Sequence, residues 1–353
     1  MRNTGTRGYS GYRGRRPNGR RWLILALVLV ILAAAAFLVA QRYMVYNMDG
    51  SYHFELPWLQ RGDGGPSRTL RARQDLEIVI EEPTPAEIAE RELHAVEFDS
   101  ATLQGGMSRA LESLSEDINA VAVRVKDADG DLLYPSALSA AIDAKAVAGS
   151  SIARSSIKEL TDSDYYAIAR LSALHDSRFS FAHMTDAAVQ QKAYKNYIWY
   201  APDSTFYLAP EKELTREYLS AVAGEVAALG FDELLFDDFA YPTVGRLNNI
   251  KTDERDMTQE EALALLAANL RETLNDCEGV RLSLMMDEKT VLDGGNKTSG
   301  QSLAVLAPLF DRIYVPTTGE QLPALREALA PYSVELIPIL ETAPVTGEYL
   351  IAQ

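Results

Sequence analysis

The chain has 353 residues, with 34 basic against 50 acidic side chains and a formal charge of −16. So negative a polypeptide repels a phosphate backbone, which sets nucleic acid aside as a partner. A single cysteine, Cys277, leaves no intramolecular disulfide to form, and His53, His94, His175 and His183 lack metal-ligand spacing, so neither metal nor cofactor is expected.

Seven arginines and no acids fill residues 1–21, and an uncharged run follows from Trp22 to Ala40. At about 1.5 Å per residue that run reaches roughly 28 Å, close to the ~30 Å hydrocarbon core of a bilayer. The expectation is a basic cytoplasmic tail over 1–21 and one transmembrane helix over 22–41. Everything after it lies outside the cytoplasm, because arginines hold their own flank inside. The rival is a cleaved signal peptide, for which Ala33–Ala36 and Leu38-Val39-Ala40 supply small residues. The run exceeds the roughly 7–15 residues of a signal core, which favours the anchor. Without the seven arginines the exported body keeps 27 basic against 50 acidic residues, a more acidic balance still.

Residues 42–92 hold Arg61-Gly62-Asp63-Gly64-Gly65-Pro66 and Glu81-Glu82-Pro83-Thr84-Pro85, a composition that resists packing and reads as a stalk, with one short strand at Leu76–Ile80. From 93 to 353 short β-type runs alternate with amphipathic helical stretches. The strands are expected at His94–Phe98, Ala120–Lys126, Tyr166–Leu171, Glu233–Phe239, Arg281–Met286, Arg312–Val315, Glu335–Leu340 and Tyr349–Ile351. Between them Leu214–Leu229 places Leu219, Val222, Val226 and Leu229 on one face and stops at Gly230. Eight strand and helix units over this length match a (β/α)8 barrel rather than an open doubly wound sheet. Only Glu341–Gly347 separates the last two strands, too few residues for a helix, so the barrel is expected to be incomplete at that seam.

A barrel of this kind carries its site where strands end and loops begin. Lys126, Asp127, Asp129, His175, Asp176, Asp237, Asp238, Asp287 and Glu341 stand there. The run Phe231–Pro242 is the most informative, since it drives an apolar strand into Asp237 and Asp238 and stops at Pro242. Carboxylates at the end of a strand buried on both faces are costly unless they act. Strand alternation predicts Asp237 inward and Asp238 on the opposite side, as a cap or ion pair. Carboxylates suit glycosidic cleavage, which needs one proton donor and one base or nucleophile. Tyr194, Tyr197, Trp199, Tyr200, Phe206 and Tyr207 crowd one segment and offer either sugar-stacking faces or plain packing. Other chemistries fall away. The Asp127–Asp131 loop has its glycine two places early for calcium and Leu138 where Glu is needed. Gln301 stands where a phosphate loop requires lysine, and no Gly-x-Ser-x-Gly elbow occurs.

Three stretches, Asn119–Ser136 with Lys126-Asp127-Ala128-Asp129-Gly130 and Tyr134-Pro135-Ser136, Tyr166–Arg170, and Gly230–Pro242 with Phe236-Asp237, resemble the bacterial putative glycosyl hydrolase domain, an alpha-amylase-like barrel. Lys126, Asp127, Asp129, Tyr134, Arg170, Asp237 and Pro242 match that family's pattern, while Arg124, Ala209, Ala240 and Met285 replace polar residues it tends to carry. Together with the apolar run and its flanking arginines, the resemblance implies a membrane-anchored glycoside hydrolase with a cell-envelope or extracellular polysaccharide as substrate. Its expected catalytic set is Asp237 as nucleophile or base with Glu341 or Asp287 as the second carboxyl. Its expected substrate-contacting set is Lys126, Asp127, Tyr134, Arg170, His175, Trp199, Tyr207 and Asp238. The substitutions at 124, 209, 240 and 285 motivate the alternative of a degenerate barrel that binds carbohydrate without cleaving it, or serves as an envelope scaffold.

Overall fold

The computed structural model describes residues 44–46, 52–54 and 92–353, apart from 193–196, 253–256, 345 and 353. The expected tail, transmembrane helix and stalk strand lie outside those residues; among the described residues no helix is long and apolar enough to cross a membrane. Two compact units are present, Met1–Val79 and Ile80–Gln353. In the first, Met44–Tyr46 pairs antiparallel with Tyr52–Phe54.

The second unit is a closed barrel of eight parallel strands. In chain order they are β1 (His94–Phe98), β2 (Ala120–Lys126), β3 (Tyr166–Ser172), β4 (Glu233–Asp237), β5 (Arg281–Met285), β6 (Arg312–Pro316), β7 (Glu335–Leu340) and β8 (Tyr349–Ile351). Every strand pairs with its sequence neighbours, and β8 closes the ring by pairing with both β7 and β1. The expected incomplete seam is therefore corrected. The short turn between β7 and β8 replaces a helix without opening the sheet, because Leu350 and Ile351 still reach Ile339 and Leu340 in register.

Period-two alternation sorts the strand residues into two cores. Outward residues such as Val121, Val123, Leu171, Phe236, Leu284 and Val315 pack under the helices with Leu219, Val222 and Val226 of α3 (Glu213–Ala227) and Leu263, Leu266 and Leu270 of α4 (Gln259–Leu274). A capping box between Thr258 and Glu261 starts α4. Inward residues, including Ala95, Ala122, Ile168, Leu235, Tyr314 and Ile337, form a second, smaller cluster along the axis. Small alanines on β1 and β2 leave room across that axis for long polar side chains in the layers above and below. Below, at the strand starts, Arg312 donates through Nη1 to Glu233 and through Nε to Glu335, both at 2.7 Å, and its guanidinium lies 5.6 Å from the Tyr166 ring centroid.

Candidate active site at the barrel mouth

At the C-terminal end of the strands the same inward parity brings together Glu97 of β1, Arg124 of β2, Arg170 of β3 and Asp237 of β4. Arg170 spans two carboxylates: its Nη1 donates to both Glu97 oxygens at 2.9 and 2.7 Å, and its Nε donates to Asp237 Oδ2 at 2.7 Å. Arg124 Nη2 donates to the same Asp237 oxygen at 2.8 Å. Burial opposes the Arg124 charge, but the adjacent Asp237 carboxylate, with Glu97 and Asp238 behind it, outweighs that penalty and raises the guanidinium above its ordinary value. Asp237 Oδ1 is buried and has no hydrogen-bond partner among the described residues. The inward orientation predicted for Asp237 is the one observed.

Asp238 does not follow the alternation expected of it. The strand ends at Asp237, and Asp238 adopts φ +50°, a left-handed conformation that Asp tolerates better than most residues. That kink leaves Asp238 exposed and lets it accept a hydrogen bond from Ser172 Oγ at 2.7 Å, on the residue of β3 that pairs with Asp237. It caps no helix and joins no ion pair among the described residues. Residues held in sparsely populated backbone regions cluster at active sites and ligand clamps. Nearby, His175 and Tyr207 stack with centroids 4.5 Å apart. Burial first, then the charges of Asp238 and Asp203, push the Tyr207 hydroxyl up to about 12.

Several expected site residues lie elsewhere. Lys126 and Asp176 form a 2.9 Å ion pair with both side chains fully buried, and Lys126 Nζ also donates to the Ser172 carbonyl at 2.8 Å. A sugar cannot reach that ammonium; it braces the ends of β2 and β3, while Asp176 caps α2 (Ser177–Ala182) through the Phe179 N–H. Gly130, at φ +91°, gives way to this pair, since a Cβ there would stand 2.0 Å from Asp176 Oδ1. Gly130→Ala is accordingly expected to lower the melting temperature by several degrees, measured by circular dichroism. Tyr134 is buried and donates to Glu225 of α3 at 2.8 Å, outside the mouth. Asp287 spends both oxygens on the N–H and hydroxyl of Thr290 as the cap of α5 (Glu288–Leu292). Glu341 is exposed and borders a cavity of about 760 Å³ with Glu288, Thr317 and Leu322, whose lining does not include Asp237. Among the described residues no hydrogen bond or ion pair joins either expected second carboxyl to Asp237.

Asp127 accepts the Asp131 N–H at 2.9 Å, and burial, then repulsion from Asp131 and Asp129, raises its carboxyl above the ordinary value. A carboxyl with a raised folded-state value favours folding less as pH climbs through that value. Asp127→Asn is therefore expected to raise the melting temperature at pH 7 and to leave it unchanged at pH 3, where both forms are neutral. A scan of melting temperature against pH measures this.

Glu97 was missed by sequence reasoning although a signal existed: it interrupts the apolar run of His94–Phe98 at the parity that points inward. Arg124, which reads as a departure from the family pattern, is a direct partner of Asp237.

An eight-stranded parallel barrel with arginine-bound carboxylates at its C-terminal mouth is a glycoside-hydrolase-like architecture. The model of the family described as "Putative glycosyl hydrolase domain" matches residues 96–314, and the chain belongs to that family. Among solved structures the chain is similar to a hypothetical protein from Ruminiclostridium thermocellum, at 23% identity over 54% of this chain and 96% of that one, with a TM-score of 0.44. It is also similar to a GH20 exo beta-N-acetylglucosaminidase from Vibrio harveyi, at 11% identity over 71% of this chain and 41% of that one, with a TM-score of 0.48. A third likeness is to the glycoside hydrolase domain of PelA from Pseudomonas aeruginosa, at 13% identity, 71% and 84% coverage and a TM-score of 0.40. No curated protein sequence matches the chain.

Proposed function

We propose that this protein is a membrane-tethered, extracytoplasmic glycoside hydrolase acting on envelope or extracellular polysaccharide, with Asp237 as nucleophile and Asp238 as proton donor. The observation that supports it best is the adjacent pair of mouth carboxylates in opposite circumstances. Asp237 accepts hydrogen bonds from two guanidinium groups through Oδ2, and its Oδ1 has no hydrogen-bond partner among the described residues, which leaves one oxygen for attack. Asp238 is exposed and carries one side-chain hydrogen bond among the described residues, from Ser172 Oγ, which leaves its carboxyl open to a glycosidic oxygen. Arg124, whose side chain is 26% exposed, is the more exposed of the two guanidinium groups on Asp237 Oδ2. Tethering rests on the arginine tail over 1–21 and the apolar run over 22–41, with 42–92 as stalk and 93–353 as the working domain. Release of reducing ends from a panel of envelope polysaccharides, compared between the wild type and the Asp237→Asn and Asp238→Asn variants, tests the chemistry. Protease accessibility of the domain in intact cells tests the location.

A second reading is a barrel that binds glycan without cleaving it. Asp237 favours it in one respect, since Oδ2 already takes two guanidinium bonds and Oδ1 is shielded from solvent. Tight glycan binding with no reducing ends released on long incubation selects this reading over the first.

A further inference from the structure

Beyond the mouth, the loops that follow β3 and β4 build a second concave surface. Main-chain bonds join them: Lys192 N–H to the Asn249 carbonyl and Lys251 N–H to the Gln190 carbonyl, both at 2.8 Å. The Trp199 indole N–H adds a bond to the Arg246 carbonyl at 3.1 Å. A small core of Val189, Trp199, Ala201, Ala209 and Ile250 lies beneath, so the surface is held in shape without a ligand. Over it opens a cavity of about 550 Å³, lined in part by Gln191, Tyr200, Pro202, Gly245, Arg246 and Asn249. Gly245 keeps the floor open. It sits at φ +100°, and a Cβ there would press to 3.1 Å from Pro202 and 3.3 Å from Trp199.

Two features of this groove point to a ligand. Tyr200, at the rim, is 54% exposed, an apolar face that packing does not explain. Arg246 is exposed and has no ion-pair partner among the described residues, although acids outnumber bases throughout the chain. A planar guanidinium over a groove is a fork for a planar carboxylate. The Gln191 amide N–H already donates to the Ile198 carbonyl at 3.0 Å, which leaves its oxygen to accept, and the Asn249 amide adds donors and an acceptor. An aromatic face, amide groups and one cation around a cavity of this size suit a ring that carries both hydroxyls and a carboxylate.

We infer that this groove is a subsite for an acidic glycan, a uronic-acid-containing oligosaccharide. Tyr200 covers a sugar face, Gln191 and Asn249 take ring hydroxyls, and Arg246 binds the carboxylate. The loops rise from the strand ends that carry Ser172 and Asp237, on the same face of the barrel as the mouth, and the inference rests on the reading of that mouth as a glycan site.

The test is titration calorimetry on the full chain, in a detergent without a sugar headgroup, using hexamers of galacturonate, mannuronate and glucuronate and their carboxyl-reduced counterparts. At least one acidic hexamer is expected to bind about ten-fold more tightly than its reduced form, a difference of about 1.4 kcal/mol. Arg246→Ala should erase that preference, Arg246→Lys should keep part of it, and Tyr200→Ala should weaken both forms about five-fold. Unchanged melting temperatures show that these surface variants remain folded, and Asp237→Asn should leave groove affinity as it is. If no acidic hexamer binds the wild type, or if the variants at 200 and 246 bind as the wild type does, the inference is overturned. Reducing-end release by Asp237→Asn judges the mouth separately, so loss of the groove and loss of the hydrolase reading give different results.

Discussion

Asp237→Asn is expected to lower the rate of glycan hydrolysis by about 10³-fold while leaving the barrel folded. An amide is nearly the same size as a carboxylate and still accepts a hydrogen bond from Arg124 or Arg170, so the mouth keeps its shape. It cannot attack an anomeric carbon or balance the positive charge that develops there, and losing one positioned group of this kind typically costs 10²–10⁴-fold. Asp238→Asn should lose comparable rate by a different route, because an amide cannot give a proton to the leaving group. Asn also accepts the left-handed backbone at 238, which separates the chemical effect from strain. Hydrolysis by Asp237→Asn at the wild-type rate would remove the proposed chemistry.

Arg312→Met is the substitution with the largest expected effect on stability, a loss of about 3–5 kcal/mol. The Arg312 side chain is 1% exposed and is the partner of Glu233, which is fully buried two strands away in the ring and whose Oε1 has, by distance and angle, no hydrogen-bond partner among the described residues. Removing the cation leaves that carboxylate charged in the barrel floor, and also takes the guanidinium away from Tyr166. For a domain of this size each kcal/mol moves the melting temperature by roughly 2–4 °C, so a fall of about 10 °C is expected by calorimetry. The double variant Arg312→Met, Glu233→Leu should recover much of the loss, since a well-packed apolar pair replaces a buried ion pair at little net cost. If the double variant is no more stable than the single one, the floor is held by packing and not by the pairing of charges.

The barrel was legible because each parallel strand is buried on both faces, which writes it as a short apolar run, and because the runs recur with helical stretches between them. All eight strands fall within two residues of their expected bounds. Asp237 was legible for a related reason: a carboxylate ending such a run stands out against apolar neighbours, and parity assigns its direction. Parity failed one residue later, since it holds only while the backbone stays extended and Asp238 leaves the strand. Matching a family motif did not distinguish a mouth residue from a support, as Lys126 and Tyr134 are both buried on internal partners. The sequence alone determined the number and direction of the strands, the acidic body and the inward carboxylate on β4, since these depend on local burial pattern and composition. Only the tertiary structure decided that Arg124 and Arg170 meet at Asp237, with Glu97 on the far side of Arg170, while Asp287 caps a helix and Glu341 borders a cavity whose lining lacks Asp237. Such meetings depend on how barrel closure sets side chains from separate strands across one axis, a long-range geometry to which no local pattern is tied.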